Sequence, residues 1–222
     1  MYPGGKGKTY QHLINLMPPH KKYIEPFLGS GIVIKNKLQA KVNIGNDIDK
    51  ACIDSIVDKK NVTLLNMDAI QLLEKEGLCK DSLIYCDPPY VASTRRKQKI
   101  YRHEYSDNQH EKLLQFLVNQ KCMVMISGYK NDLYQYYLND WNLYSFSSQT
   151  QNGKATECVW FNFEKPTKLH DSRYLGNCFR ERQTIKRRQE RLQQKVKDMN
   201  PLERSAFMEW LNQEFPTQGE QL

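Results

Sequence analysis

The sequence predicts an α/β fold built on a doubly wound, mostly parallel sheet with helices on both faces. Short β-rich runs alternate with helical patterns along residues 1–164, and a turn signal follows each run. Buried strands are predicted at 23–27, 42–47, 62–66, 82–86 and 122–127. The helices that alternate with them are predicted at 32–39, 50–59, 69–75, 108–119 and 132–138.

The end of this region and the residues beyond it follow other patterns. The runs 141–147 and 157–163 flank the turn signal Asn152-Gly153 with no helix between them, which predicts an antiparallel hairpin at one edge of the sheet. Residues 180–199 carry a thin apolar stripe at helical spacing, and Asn200-Pro201 is typical of a second helix start. We therefore expect a first domain at 1–164 and a basic helical tail at 165–222.

Composition restricts the class of protein. Among 222 residues no apolar run approaches the ~18 residues of a membrane span, and the first residues lack the apolar stretch of a signal peptide. The six cysteines are scattered without metal-ligand spacing. We expect a soluble cytoplasmic protein with no metal, no disulfide framework and no membrane partner.

Positive charge is concentrated in two places. The formal net charge is +8, and residues 165–197 hold eleven Lys and Arg against three acids. A short stretch after Tyr90 is also basic. Clustered cations suit a polyanion such as a nucleic acid, although a solvated helix face kept soluble by its charge has the same composition.

Three predicted strands end in residues suited to binding a nucleotide. The glycine-rich run 27–31 opens a helix, where backbone N–H groups can meet a ligand. Asp47 follows the second strand, where a carboxylate commonly accepts hydrogen bonds from ribose hydroxyls, and Asp49 is better interpreted as a helix cap. Asp68 follows the third strand and could either cap a helix or receive an adenine amino group.

The fourth strand ends in the most specific motif, Asp87-Pro88-Pro89-Tyr90. Two prolines forbid further sheet pairing and hold the neighbouring groups rigidly. The Asp87 carboxylate and the Pro88 carbonyl could accept both N–H bonds of a nucleobase amino group and aim its lone pair at an electrophile. Tyr90 would stack on the base, which must leave a duplex to reach this site. An extended loop with a buried aromatic residue is the structural alternative.

These motifs, in this order and with Pro3-Gly4-Gly5-Lys6 ahead of them, resemble the Dam-like class of S-adenosylmethionine-dependent DNA adenine methyltransferases. The run from Asp87 to Glu104, with 127–129 and 156–160, looks like the compact phage- and prophage-type members. The resemblance implies a class I methyltransferase with a mixed, Rossmann-like seven-stranded sheet. It also implies a catalytic domain at 1–164, S-adenosylmethionine as methyl donor, no metal, and a cytoplasmic location in a bacterium or phage-infected cell.

The resemblance also implies roles for individual residues. An Asp at the first position of the catalytic motif favours adenine over cytosine as the target. The catalytic residues would be Asp87, Pro88, Pro89 and Tyr90. The cofactor-binding residues would be Tyr2, Gly5, Lys6, Phe27, Gly29, Ser30, Gly31, Asp47, Asp68 and Asp87.

One departure from the larger members concerns DNA recognition. Only 56 positions separate Gly31 from Asp87, and predicted strands and helices fill them, which leaves no room for a separate recognition domain. The basic loop 93–102 is the expected substitute, with a flexible solvated loop as the alternative. The expected DNA-binding residues are Arg95, Arg96, Lys97, Lys99 and Arg102 in the loop and Arg187 and Arg188 in the tail.

Several alternatives stay open at the level of sequence. Double-stranded DNA is the expected partner, but the same reaction on RNA adenine is compatible with the motifs. An inactive nucleic-acid-binding module and a dinucleotide-dependent oxidoreductase are the rivals from other classes, and a homodimer is left open. The irregular spacing of His103, Glu104 and His110 favours local hydrogen bonding over a metal site.

Overall fold

The computed structural model describes residues 6–7, 9–57, 61–95, 100–150 and 153–216. Its centre is one sheet of seven strands in the order β3-β2-β1-β4-β5-β7-β6. This is the mixed, doubly wound sheet that the sequence predicts. The strands are β1 (Lys22–Glu25), β2 (Val42–Asn46), β3 (Thr63–Leu65), β4 (Ser82–Cys86), β5 (Met123–Gly128), β6 (Asn142–Thr150) and β7 (Gly153–Phe161).

Parallel pairing joins the first five strands. β1 pairs with β2 on one side and with β4 on the other, so that Lys22 lies beside both Val42 and Ser82. β2 pairs with β3 and β4 pairs with β5, also in parallel. β7 is antiparallel to both β5 and β6, which confirms the predicted edge hairpin.

Eight α-helices accompany the sheet in the described part of the chain. The helices are α1 (Tyr10–Ile14), α2 (Ile32–Asn36), α3 (Lys50–Asp54), α4 (Ala69–Lys75), α5 (Asp107–Val118), α6 (Asp132–Tyr137), α7 (Phe179–Asp198) and α8 (Pro201–Glu214). The sequence did not predict α1, but it predicted the bounds of α4. Helix α2 ends earlier than predicted, at Asn36, because Lys37 has an extended conformation. None of the helices in the described ranges is long and apolar enough to span a bilayer.

Two apolar clusters hold the sheet between its helices. Neighbouring residues of β4 belong to different clusters, because successive side chains of a strand point to opposite faces. Ile84 packs in a cluster with Leu72 of α4 and Leu114 of α5, whereas Leu83 packs in the other with Leu13 of α1 and Val33 of α2. A strand covered on both faces carries mostly apolar side chains, so polar side chains are expected where the strand begins and ends.

The chain forms two compact units, Met1–Tyr174 and Leu175–Leu222. The segment 165–174, assigned to the tail from its composition, is held within the first unit. Asp171 is only 2% exposed and accepts a 2.9 Å hydrogen bond from the Leu38 backbone, and the His170 backbone donates to Met17 at 2.9 Å. The second unit contains α7 and α8, and Asn200 caps α8 through Glu203, which confirms that predicted helix start.

The glycine at the start of α2 gives a test of this fold. Gly31 has a φ of 64°, and a Cβ built there would lie 3.0 Å from the Ile56 side chain. An L side chain in this left-handed conformation costs about 1–2 kcal/mol. We expect Gly31→Ala to lower the free energy of unfolding in urea by about this amount.

Gly77→Ala is the matched control, because a Cβ at Gly77 would meet nothing within 4 Å. Equal unfolding free energies for Gly31→Ala and Gly77→Ala would contradict the proposed strain at Gly31.

Candidate active site

A cavity of about 380 Å³ lies where the parallel strands β1, β2 and β4 end. It collects residues that are distant in the sequence. The predicted site residues that line it are Lys6, Phe27, Gly29, Ser30, Asp47, Asp68, Asp87, Pro88 and Pro89. Gly31 and Tyr90 are not among its lining residues, and Tyr2 and Gly5 lie outside the described ranges. The structure thus brings most of the predicted site together.

Asp47 fixes the glycine-rich turn. One of its carboxylate oxygens, Oδ2, accepts a 2.8 Å bond from the Gly29 backbone, and Oδ1 accepts a 2.9 Å bond from the Asp49 backbone. Burial raises the pKa of Asp47, although these two hydrogen bonds oppose the rise. Asp49 accepts a bond from the Ala51 backbone and caps α3, which confirms its interpretation as a helix cap.

Asp68 caps α4 and also faces the cavity. The backbone N–H groups of Ile70 and Gln71 both donate to Oδ1, at 2.9 and 3.1 Å. Asp68 therefore combines the two uses that its sequence position suggested, a cap and a cavity-lining carboxylate. Among the described residues, none donates to its Oδ2.

The first residue after β4, Asp87, lies beside a buried lysine. The ammonium nitrogen Nζ of Lys6 lies 2.9 Å from Asp87 Oδ1, and the Lys6 side chain is only 4% exposed. Burial raises the pKa of Asp87, and the positive charge of Lys6 opposes this effect. Burial alone would lower the pKa of Lys6, but the charge of Asp87 and its neighbours outweighs that effect and raises it. Each group thus favours the charged form of the other.

Glu157 of β7 completes this cluster and was not expected from the sequence as a site residue. Its Oε2 lies 3.5 Å from Lys6 Nζ and accepts a 3.4 Å hydrogen bond from the Tyr90 hydroxyl. Lys6 donates to the same hydroxyl at 2.5 Å. The signal available in the sequence was a lone glutamate followed by the apolar run Cys158–Phe161, an unusual place for a charge.

Tyr90 is packed into this cluster by its ring. The ring meets Tyr129 edge-to-face with centroids 4.7 Å apart, and Lys6 Nζ lies 4.8 Å from its centroid. Tyr90 is 7% exposed in this arrangement. The hydroxyl and the ring of Tyr90 therefore both join the catalytic motif to Lys6.

Glu104 binds described residues on both sides of the gap at 96–99. Its carboxylate accepts bonds from the Arg95 guanidinium at 3.1 and 2.6 Å and from the backbones of Ile100 and Tyr101 at 2.6 and 2.8 Å. The Arg95 side chain is 4% exposed and points to Glu104 in this structure rather than to solvent. The sequence predicted local hydrogen bonding for Glu104, and these bonds confirm it, but the sequence did not identify Arg95 as the partner.

The other expected DNA-binding residues fall into three groups. Arg102 is 70% exposed and lies 3.2 Å from Asp49. Arg187 and Arg188 are exposed on α7. Arg96, Lys97 and Lys99 lie outside the described residues.

His110 makes its side-chain contact with a residue distant in the sequence. His110 is fully buried on α5, where its Nδ1 lies 3.2 Å from the Tyr134 hydroxyl, and burial lowers its pKa to about 4. Within the described ranges, no group of three or more His, Cys, Asp or Glu side chains is arranged to hold a metal ion.

The sheet order and the acid-lined cavity at its carboxyl edge define a class I methyltransferase-type, Rossmann-like nucleotide-binding protein. The model of the D12 class N6 adenine-specific DNA methyltransferases matches residues 2–56 and 52–152, more than half of the chain. The chain belongs to this family, and its methyl donor is S-adenosylmethionine, as the sequence resemblance implied. The chain has no significant sequence match among curated proteins.

Similar solved structures include three of different origin. Precorrin 8w decarboxylase of Methanobacterium thermoautotrophicum has 11% identity and a TM-score of 0.48, covering 73% of this chain and 93% of its own. TrmK of M. capricolum, in complex with S-adenosyl-homocysteine, has 9% identity and a TM-score of 0.45, and the match covers 92% of this chain and 94% of TrmK. The putative methyltransferase SMU.1697c of Streptococcus mutans has 12% identity and a TM-score of 0.47, covering 69% and 96%.

The Glu104 contacts predict a pH-dependent stability. Hydrogen bonds from Arg95 hold the pKa of Glu104 at about 2, below its ordinary 4.5. Stabilisation by the carboxylate is therefore complete above about pH 5 and is lost as the pH falls towards 2. We expect Glu104→Gln to lower the free energy of unfolding by about 1 kcal/mol at pH 7, because part of the pair is open to solvent.

Urea unfolding of the Glu104→Gln variant and the wild type across this pH range measures the effect. The difference should shrink between about pH 5 and pH 2. Glu74→Gln, at an exposed position of α4, should show no such trend. A pH-independent difference for Glu104→Gln would rule out the ionised pair as its cause.

Proposed function

We propose that this chain transfers the methyl group of S-adenosylmethionine to the exocyclic amino group of adenine in double-stranded DNA, after the base has left the helix. The observation that carries the proposal is the shared cavity. Asp87 and Pro88 line it together with Asp47 and Asp68, so a cofactor and a base amino group can meet there.

The residues present fit the cofactor. The cavity is within the usual size range of small-molecule sites, about 300–1,000 Å³. Asp47 offers carboxylate oxygens to ribose hydroxyls, and Asp68 has Oδ2 available for the adenine amino group of the cofactor. The rings of Phe27 and Tyr105 meet edge-to-face with centroids 5.5 Å apart and form an aromatic wall. When bound, S-adenosylmethionine supplies an electrophilic methyl group on a sulfonium centre.

Asp87 and Pro88 orient the target amino group in this proposal. The lone pair of an adenine amino nitrogen is delocalised into the ring, so the nitrogen is a poor nucleophile. The Asp87 carboxylate and the Pro88 carbonyl each accept a hydrogen bond from one N–H of this amino group. These two hydrogen bonds turn the lone pair of the nitrogen towards the methyl carbon. With the cofactor held by Asp47 and Asp68, its sulfonium methyl group would pass to this nitrogen, the electron pair of the carbon–sulfur bond would stay on sulfur, and the nitrogen would release one proton.

Base flipping follows from where these acceptors lie. In a duplex the adenine amino group is paired and stacked inside the helix, so it reaches Asp87 only when the nucleotide is extruded. We propose Tyr90 as the aromatic surface on which the base stacks. In the structure its ring is buried against Tyr129, so stacking involves a movement of this side chain or of its neighbours.

Contacts to the DNA backbone are proposed for the exposed cations. Arg102 lies at the cavity, and Arg187 and Arg188 lie on α7, which carries eight basic and three acidic residues. Together with the basic loop 93–102 they offer charge to phosphates without a separate recognition domain. We propose accordingly that residues 1–164 are the catalytic domain and that the basic tail holds the substrate.

Methyl transfer from tritiated S-adenosylmethionine to duplex DNA, single-stranded DNA and RNA tests the reaction. We expect label in adenine of duplex DNA. Asp87→Ala should reduce the rate by at least about 100-fold, as is usual when a group that stabilises the transition state is removed, while DNA binding stays within a few-fold.

Asp81→Ala is the matched control, because Asp81 precedes the same strand at the opposite edge of the sheet and is exposed. It should leave the rate near that of the wild type. Label found exclusively in RNA would exclude DNA as the substrate, and full activity of Asp87→Ala would refute the role of Asp87.

The salt dependence of DNA binding tests the tail. Each phosphate contact contributes about 0.9 to the slope of log K against log salt, so the double variant Arg187→Gln/Arg188→Gln should reduce the slope by up to about 2. The control pair Lys41→Gln/Lys80→Gln changes exposed lysines at the amino ends of β2 and β4, far from the cavity. Equal slopes for the two double variants would show that Arg187 and Arg188 do not contact phosphate.

A further inference from the structure

Four polar side chains form a cluster around the ammonium of Lys6, and they come from three distant segments. Lys6 precedes α1, Asp87 and Tyr90 follow β4, and Glu157 lies on β7. The side chains of Lys6, Asp87 and Glu157 are 4%, 18% and 11% exposed. Burying charges in this way is costly unless they are paired, so their arrangement is constrained by their mutual contacts.

The ammonium of Lys6 has one hydrogen-bond partner and two ion-pair partners in this cluster. A lysine ammonium has three N–H bonds and no acceptor. Within 3.5 Å, Nζ of Lys6 has three oxygen neighbours: Asp87 Oδ1 at 2.9 Å, the Tyr90 hydroxyl at 2.5 Å and Glu157 Oε2 at 3.5 Å. The Tyr90 hydroxyl accepts a hydrogen bond from this ammonium, and the carboxylates of Asp87 and Glu157 pair with its charge.

Of the residues in this cluster, Glu157 has its backbone held by strand pairing. It lies in the β6–β7 pairing opposite Phe146, in a hairpin that is paired along its whole length. Lys6 belongs to no strand or helix, and its ammonium is reached only by a long flexible side chain. The sheet therefore fixes Glu157, and Glu157 and Tyr90 give the ammonium of Lys6 two partners besides Asp87.

We propose that Glu157 is a positioning residue for methyl transfer, which acts through Lys6 and Tyr90 to hold the Asp87 carboxylate in its reactive orientation. The inference rests on the proposed role of Asp87. The two carboxylates repel each other, so Glu157 does not help Asp87 through its own charge. If it acts as an anchor, its removal slows the reaction even though a repulsive charge has been lost.

A double-mutant cycle on the single-turnover rate, at saturating S-adenosylmethionine and duplex DNA, tests this coupling. Because small misplacements of a reacting group are costly, we expect Glu157→Ala and Lys6→Met each to slow methyl transfer by roughly 10- to 100-fold. The double variant should be no slower than Lys6→Met alone, since Glu157 acts through Lys6. Affinity of Glu157→Ala for S-adenosylmethionine, measured by equilibrium dialysis, should stay within about twofold of the wild type, because Glu157 does not line the cavity.

The conservative variant Glu157→Gln keeps the shape and one acceptor, so it should retain part of the rate that Glu157→Ala loses. It also keeps the test valid if Glu157→Ala fails to fold. Thr156→Ala, at the exposed neighbouring position of β7, should react at the wild-type rate.

Two results would overturn the inference: wild-type rates for both Glu157 variants, or losses that multiply in the double variant. These results are distinct from a failure of the proposed function, in which the wild type labels no adenine or Asp87→Ala stays active.

Discussion

Parallel pairing of β1 with β2 and β4 is the constraint on which the site depends. The registers that set Lys22 beside Val42 and Ser82 make these strands begin together, and similar strand lengths make them end together. Since helices cover both faces of the sheet, the interior residues of β1 and β4 are apolar or aromatic, and charged groups appear where these strands end. The cavity is the direct result, because the glycine-rich turn, Asp47 and Asp87 all follow strands that terminate at this edge.

The chemistry adds charges to this edge that the fold alone would not favour. Asp87 is half-buried next to an apolar strand, where a carboxylate is poorly solvated, and Lys6 supplies the compensating cation. A second carboxylate, Glu157, gives the cluster one more negative than positive charge. Such a set of buried charges stabilises a protein weakly at best, so we attribute its presence to the reaction and not to stability.

The basic residues outside this cluster fall into two kinds. Arg95 contributes to the net charge of +8, but its guanidinium is bound by Glu104, which lines the cavity. Arg102 and the α7 arginines are exposed in contrast. The basic residues therefore have two uses: Arg95 shapes the protein, and the exposed arginines are available to a polyanion.

The amino-acid sequence by itself determined the alternation of strands and helices, the bounds of β4 and α4, the caps Asp49 and Asn200, and the family motifs, because periodicity, capping and motif spacing are local. Helix α1 was not predicted, because it is short and its N-cap residue, Thr9, makes no side-chain capping hydrogen bond. Only the tertiary structure brought Glu157 to Lys6, which is 151 positions away. It also paired Arg95 with Glu104 and brought the Asp171 carboxylate to the backbone N–H of Leu38. These pairs form only when the sheet and its connections have set the positions of distant backbone segments, so no local pattern records them.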